Sequence, residues 1–135
     1  MSVSYARTRV RRLHPALTGP TAHLVVGSLV VDGLVVDGLG RIAVVDGRPL
    51  RLTRREFDLL SYLVEHRRCV FTRRQLLRAV WEQPSSFGDA RTVDVHIARL
   101  RTKLGSAHRA CLVTVRGVGY KYDPGSATRP APAGV

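Results

Sequence analysis

The stretch DARTVDVHIARLRTKL, residues 89–104, decides the fold. Its apolar residues Val93, Ile97, Leu100 and Leu104 recur at steps of four, three and four, which at about 100° per residue makes one narrow stripe along a helix. Such a stripe needs a core to face. Asp89, just before it, predicts the N-cap, because its carboxylate can accept from the free amides of the first turn. The side away from the stripe carries Thr92, Val95, His96, Arg99, Thr102 and Lys103, a surface of donors, cations and one β-branched apolar group. That surface suits the major groove of a duplex. Arginine can offer two hydrogens to a guanine edge, Val and Thr methyls can lie on thymine, and His, Thr and Lys can hold phosphates. The plain alternative is a solvated basic face, and the surrounding chain has to weigh one against the other.

Two more helices are predicted upstream, each opened by a capping box. In Thr53-Arg54-Arg55-Glu56 and in Thr72-Arg73-Arg74-Gln75 the Thr hydroxyl and the Glu or Gln side chain satisfy reciprocal backbone amides. Phe57, Leu60, Leu63 and Val64 give the first helix its buried stripe, up to a polar break at 65–68. Leu76, Leu77, Val80 and Trp81 serve the second. Arg54, Arg55, Arg73 and Arg74 sit at helix N-termini, where the helix dipole disfavours cations. That mildly costly placement points to an electrostatic use, with Arg73 and Arg74 the candidates for phosphate contact. Gln83, Pro84, Ser85, Ser86, Phe87 and Gly88 form a loop before the third helix, with Phe87 its one large apolar group.

On the C-terminal side, CLVTVRGVGYKYD at 111–123 alternates as strands do around Arg116-Gly117-Val118-Gly119, which predicts a tight hairpin with Arg116 at its tip. On the N-terminal side, residues 23–53 are short Val, Leu and Ile runs broken by Asp-Gly at 32, 37 and 46, the pattern of antiparallel strands joined by tight turns. LVVDG at 29–33 recurs unchanged at 34–38. Five is odd and side chains alternate along a strand, so both copies cannot share one continuous strand with the same face inward. An extra turn or bulge is therefore expected.

The 135 residues allow one domain with a core, at 21–123, between a flexible basic arm at 1–20 and a Pro-, Ala-, Gly- and Ser-rich disordered tail at 124–135. A formal charge of +12 is more than a fold requires and argues for a polyanionic partner. Residues 48–122 hold sixteen Lys and Arg against six Asp and Glu, so the excess lies where the three helices do. Cys69 and Cys111 lack metal-ligand spacing and read as buried thiols, and no metal or other cofactor is expected. No apolar run is long enough for a membrane span and the first twenty residues lack a signal-peptide core, so no membrane partner and a cytoplasmic location are expected. The five His and ten acidic residues form no nucleophile or acid-base constellation, so the chain is not read as an enzyme.

LTRREFDLLSYLVEH, TRRQLLRAVW, RTVDVHIARLRTKLG and LVTVRGVGYKY, in this order, resemble the winged-helix output domain of the OmpR/PhoB family of bacterial response regulators over about residues 24–122. The resemblance implies an α+β winged helix-turn-helix: an N-terminal four-stranded antiparallel sheet, three helices and a C-terminal β-hairpin wing. It implies a transcriptional regulator that binds double-stranded DNA by sequence, with the third helix in the major groove and the wing at the minor groove. Carried over position by position, Arg99 reads bases, Thr92 and Val95 lie against bases or their methyls, and Arg116 enters the minor groove. Arg91, His96, Trp81 and Tyr120 touch phosphates, alongside Arg73, Arg74 and Lys103 from the charge argument above. The loop from Gln83 to Gly88 is where relatives contact RNA polymerase, so the alternative reading is a module that binds polymerase or a sigma factor with supportive DNA contact. Ala98 departs from a position where many relatives carry a basic residue. Only residues 1–20 precede the sheet, where the family places a receiver domain. The expectation is thus a regulator not switched by phosphorylation of its own receiver, monomeric or weakly dimeric, with tandem binding to direct repeats open to it.

Overall fold

The computed structural model describes residues 22–25, 28–82 and 89–127, with side chains from residue 28 onward. The arm at 1–20, the loop at 83–88 and the tail from 128 lie outside the described residues. By their contacts the described residues fall into two compact units, one ending at Glu65 and the other beginning at His66.

The first unit holds an antiparallel sheet whose strands follow sequence order, then one helix. The strands are β1 (Ala22–Val25), β2 (Ser28–Val31), β3 (Leu34–Asp37), β4 (Ile42–Val45) and β5 (Arg48–Pro49). Five strands stand where the family resemblance implies four, and the LVVDG repeat accounts for its odd period here. Each copy supplies most of one strand and ends in a turn. Asp32 and Gly33 both take positive φ, 48° and 92°, as a two-residue hairpin turn of the right hand requires. Val31 then pairs with Leu34 and Leu29 with Val36. Residues facing each other across a hairpin share a face, so the first and third positions of both copies point the same way, and Val31, Leu34 and Val36 are buried together with Ala43 and Val45. Asp46-Gly47 repeats the device between β4 and β5.

Asp37-Gly38 behaves differently. Asp37 pairs with Ile42 across a four-residue loop, and its carboxylate accepts from the amides of Leu39 and Gly40 at 3.0 and 3.2 Å. Arg41 leaves this loop with φ 55°, and its guanidinium lies 4.8 Å from the Phe57 ring centroid and pairs with Asp58. Phe57 and Asp58 belong to α1 (Arg54–Glu65). Its capping box is formed: the Glu56 amide donates to Thr53 Oγ1 at 3.2 Å and the Thr53 amide to Glu56 Oε1 at 2.9 Å. Phe57, Leu60, Leu63 and Val64 are buried, and Leu59 with them.

The second unit contains β6 (Phe71–Thr72), α2 (Arg73–Val80), α3 (Ala90–Leu104), β7 (Leu112–Val115) and β8 (Gly119–Tyr122), with the strands in the order β6-β8-β7. Thr72 and Gln75 complete the second capping box at 3.0 and 2.8 Å, and Asp89 caps α3 by accepting from the Arg91 amide at 2.8 Å. Val93, Ile97, Leu100 and Leu104 are buried with Leu76, Leu77 and Val80 of α2, the sequence stripe realised residue for residue. Burying four such side chains contributes roughly 1.5–3 kcal/mol each, more than the helix gains from its cap.

Two expectations need revising. Cys111 is buried, but Cys69 is exposed. The Cys69 amide closes a turn on the His66 carbonyl at 3.0 Å, and Cys69 and the Val70 that follows it are both exposed there. Ordered chain also continues past the expected boundary at 123. Pro124–Ser126 form a 3-10 turn capped by Asp123, and Pro124 is buried.

Candidate nucleic-acid interface

Because α3 buries one narrow stripe, its opposite side is open. Arg91, Val95, Ala98, Arg99 and Thr102 are exposed, Val95 by 41% despite being apolar, and Thr92, His96 and Lys103 are half-buried along one margin. Over the three turns from Arg91 to Thr102 this face runs about 16 Å, a length that fits a duplex groove. His96 Nδ1 lies 2.8 Å from the Thr92 carbonyl oxygen, which can only accept, so Nδ1 carries the hydrogen and Nε2 is the free ring nitrogen. The half-buried Trp81 ring meets the His96 ring edge to face, centroids 4.9 Å apart. Arg74 is exposed at the start of α2, and Arg116 is exposed in the turn between β7 and β8.

Arg73 and Tyr120 are disposed differently from the other predicted contact residues. Arg73 Nε donates to Asp94 Oδ1 at 2.6 Å, the Tyr120 hydroxyl donates to the same oxygen at 2.6 Å, and Arg73 Nη2 donates to the Tyr120 hydroxyl at 3.4 Å. Tyr120 is 5% exposed. Arg101 adds a second tie. Its Nε and Nη2 both donate to the Leu112 carbonyl, at 3.1 and 2.6 Å, and Nη2 also donates to Thr114 Oγ1 at 2.8 Å. The Arg73 and Arg101 guanidiniums lie 5.1 and 5.9 Å from the Tyr120 ring centroid.

Asp94 and Arg101 are the residues that the helical-face reading passed over. At 100° per residue they fall on one flank, about 100° and 80° from Val93, neither in the core stripe nor on the open face. Their seven-residue spacing was the available signal, since it stacks an acid and a base on the same side two turns apart. The one acid on the described part of α3 is thereby paired, and the open face keeps its positive character.

The charges respond as that geometry requires. Burial alone would raise the Asp94 carboxyl, but hydrogen bonds from Tyr120 and Arg73 and the nearby positive charges outweigh it and hold it below the usual carboxylate value. The bond to Asp94 raises Arg73, and burial followed by the Asp94 carboxylate pushes the Tyr120 hydroxyl up. A carboxyl lowered on folding contributes stability that is fully present above its unfolded value near 3.8 and lost as pH falls through the lower folded value. Thermal melts from about pH 6 down to about pH 2 should therefore show wild type losing more of its melting temperature at the acid end than Asp94→Asn does. Parallel curves would remove Asp94 from the account.

Among the described residues, a five-stranded sheet, three helices and a C-terminal β-hairpin wing define a winged-helix protein. Residues 47–122 match the family model described as "Transcriptional regulatory protein, C terminal", and the chain belongs to this family of OmpR/PhoB-type DNA-binding effector domains. It is 55% identical over 84 residues to the transcriptional regulatory protein YclJ of Bacillus subtilis, covering 62% of this chain and 37% of that protein. With the transcriptional regulatory protein SrrA of Staphylococcus aureus it shares 44% over 91 residues, 65% of this chain and 37% of the relative. The chain thus spans little more than a third of the length of these relatives. Among solved structures, the Klebsiella pneumoniae RstA DNA-binding domain in complex with the RstA box superposes with a TM-score of 0.64 at 30% identity, covering 72% of this chain and 97% of that one. The DNA-binding domain of CpxR from E. coli gives 0.63 at 35%, covering 71% and 95%. Among the described residues no helix is long and apolar enough to cross a membrane, and no group of three or more His, Cys, Asp or Glu could hold a metal ion.

Proposed function

We propose that this chain binds double-stranded DNA by sequence and regulates transcription, with α3 in the major groove and the β7–β8 wing at the minor groove. The observation that carries this is the exposed face of α3: Arg99 and Val95 stand open to solvent on a helix whose single described acid is already paired. The family supports the reading, as does the RstA relative solved on its DNA box. In this reading Thr92, Val95 and Arg99 contact base edges and Arg116 the minor groove. Arg74, Arg91, His96, Trp81 and Lys103 hold phosphates.

Selection of bound duplexes from a random pool, followed by gel-shift titration on the selected site and on random DNA, tests it. Equal affinity for both would overturn the sequence-specific reading. Arg91→Ala separates the two kinds of contact. A phosphate contact carries no sequence information, so this variant should weaken selected and random DNA alike and lower the slope of log affinity against log salt by about 1. A loss confined to the selected site would make Arg91 a base reader.

A further inference from the structure

We infer that Asp94 and Arg101 are positioning residues that lock the wing to α3, so that Arg116 at the wing turn and Arg99 on the helix act on DNA as one unit. The inference rests on the DNA-binding reading above and deepens it.

A hairpin of two short strands is marginally stable by itself, and β6 supports this one through a two-residue ladder to β8, at Phe71–Tyr120 and Thr72–Gly119, with β7 as the outer strand. In this unit α3 grips both wing strands separately. Arg101 takes β7 through the Leu112 carbonyl and the Thr114 hydroxyl, three bonds from one rigid planar fork. Asp94 takes β8 through the Tyr120 hydroxyl, and the same carboxylate oxygen receives Arg73 from the first turn of α2. The short β6 ladder already holds β8 at Gly119 and Tyr120. The two side-chain ties, seven residues apart and therefore about 10 Å along the helix axis, add a separate hold on each wing strand and so stiffen its angle. The anchors occupy a flank of α3 separate from the open face, so they hold the wing without competing for bases.

A rigid link makes the two groove contacts cooperative, because the ordering cost of the second is already met when the first forms. The test is a double-mutant cycle of Arg101→Lys with Arg116→Ala on the selected site. Lysine keeps the charge but cannot reproduce the fork. In the wild-type background Arg116→Ala should cost roughly tenfold in affinity, and in the Arg101→Lys background less than about threefold. The same cost in both backgrounds would overturn the inference, because Arg101 would then act only through its charge.

Hydrogen exchange on the free protein gives a readout that needs no DNA. Arg101→Lys should speed exchange of amides in residues 112–122 by about tenfold and leave those of residues 93–100 unchanged. Unchanged wing exchange would equally overturn it. Should Arg101→Lys fail to fold, Thr114→Val removes one of the three bonds at an exposed position and carries both measurements with smaller effects of the same sign. Wild type binding selected and random DNA equally would defeat the functional reading alone, and the exchange measurement would still judge the anchors.

Discussion

Arg99→Ala should lower affinity for the selected duplex by roughly ten- to a hundredfold, corresponding to about 1–3 kcal/mol, and flatten the preference at the base pair it faces. The size follows from position. Arg99 is exposed on the side of α3 away from the stripe that holds Ile97 and Leu100, and among the described residues no ion pair ties it to an acid. Its removal should leave the fold alone, since it is remote from the core stripe and surface substitutions of this kind usually stay within about 0.5 kcal/mol. Binding curves on the selected site and on single-base variants, beside a thermal melt, read both halves. A uniform loss across all variants would make Arg99 a phosphate contact, and no loss at all would remove α3 from the interface.

Gly119→Ala should be the most damaging small substitution in the second unit, at about 3 kcal/mol or more, lowering the melting temperature by roughly 10 °C or more. A Cβ built at Gly119 would stand 1.9 Å from the Phe71 carbonyl oxygen and 2.9 Å from Thr72 Cα. These are backbone atoms of β6, the strand that pairs Thr72 with Gly119, so no side chain can swing aside and the strands themselves must part. Gly117, two residues away in the turn, supplies the contrast. Its φ is +75°, but an added Cβ would meet nothing within 4 Å, so Gly117→Ala should cost only the left-handed conformation, about 1–2 kcal/mol. Equal melts for the two variants would mean that β6 and β8 are not held so close.

The parts of this fold that could be read from the chain are those whose cause is local. The stripe from Val93 to Leu104, the boxes at Thr53 and Thr72 and the Asp89 cap each lie within a few residues of the groups they satisfy. Asp32-Gly33 and Asp46-Gly47 form two-residue turns for the same reason. The fifth strand depends on how two identical pentapeptides pair with each other, a question of register that the residues alone leave open. The roles of Asp94, Arg73, Tyr120 and Arg101 were hidden for a stronger reason. Arg73 and Asp94 are 21 residues apart in sequence, and Asp94 and Tyr120 are 26 apart, so only tertiary structure brings them together. Reading each face of α3 by itself divides a helix into core and solvent and has no category for a flank that grips a neighbouring strand.

The pentapeptide duplication also bears on how this sheet can change length. Each LVVDG unit adds a single strand and a reversal, so losing or gaining one copy would send the preceding polypeptide into the sheet from the opposite end, whereas losing or gaining a pair would restore its heading. Copy number parity, rather than copy number, is therefore the variable to which anything joined upstream of β1 is sensitive.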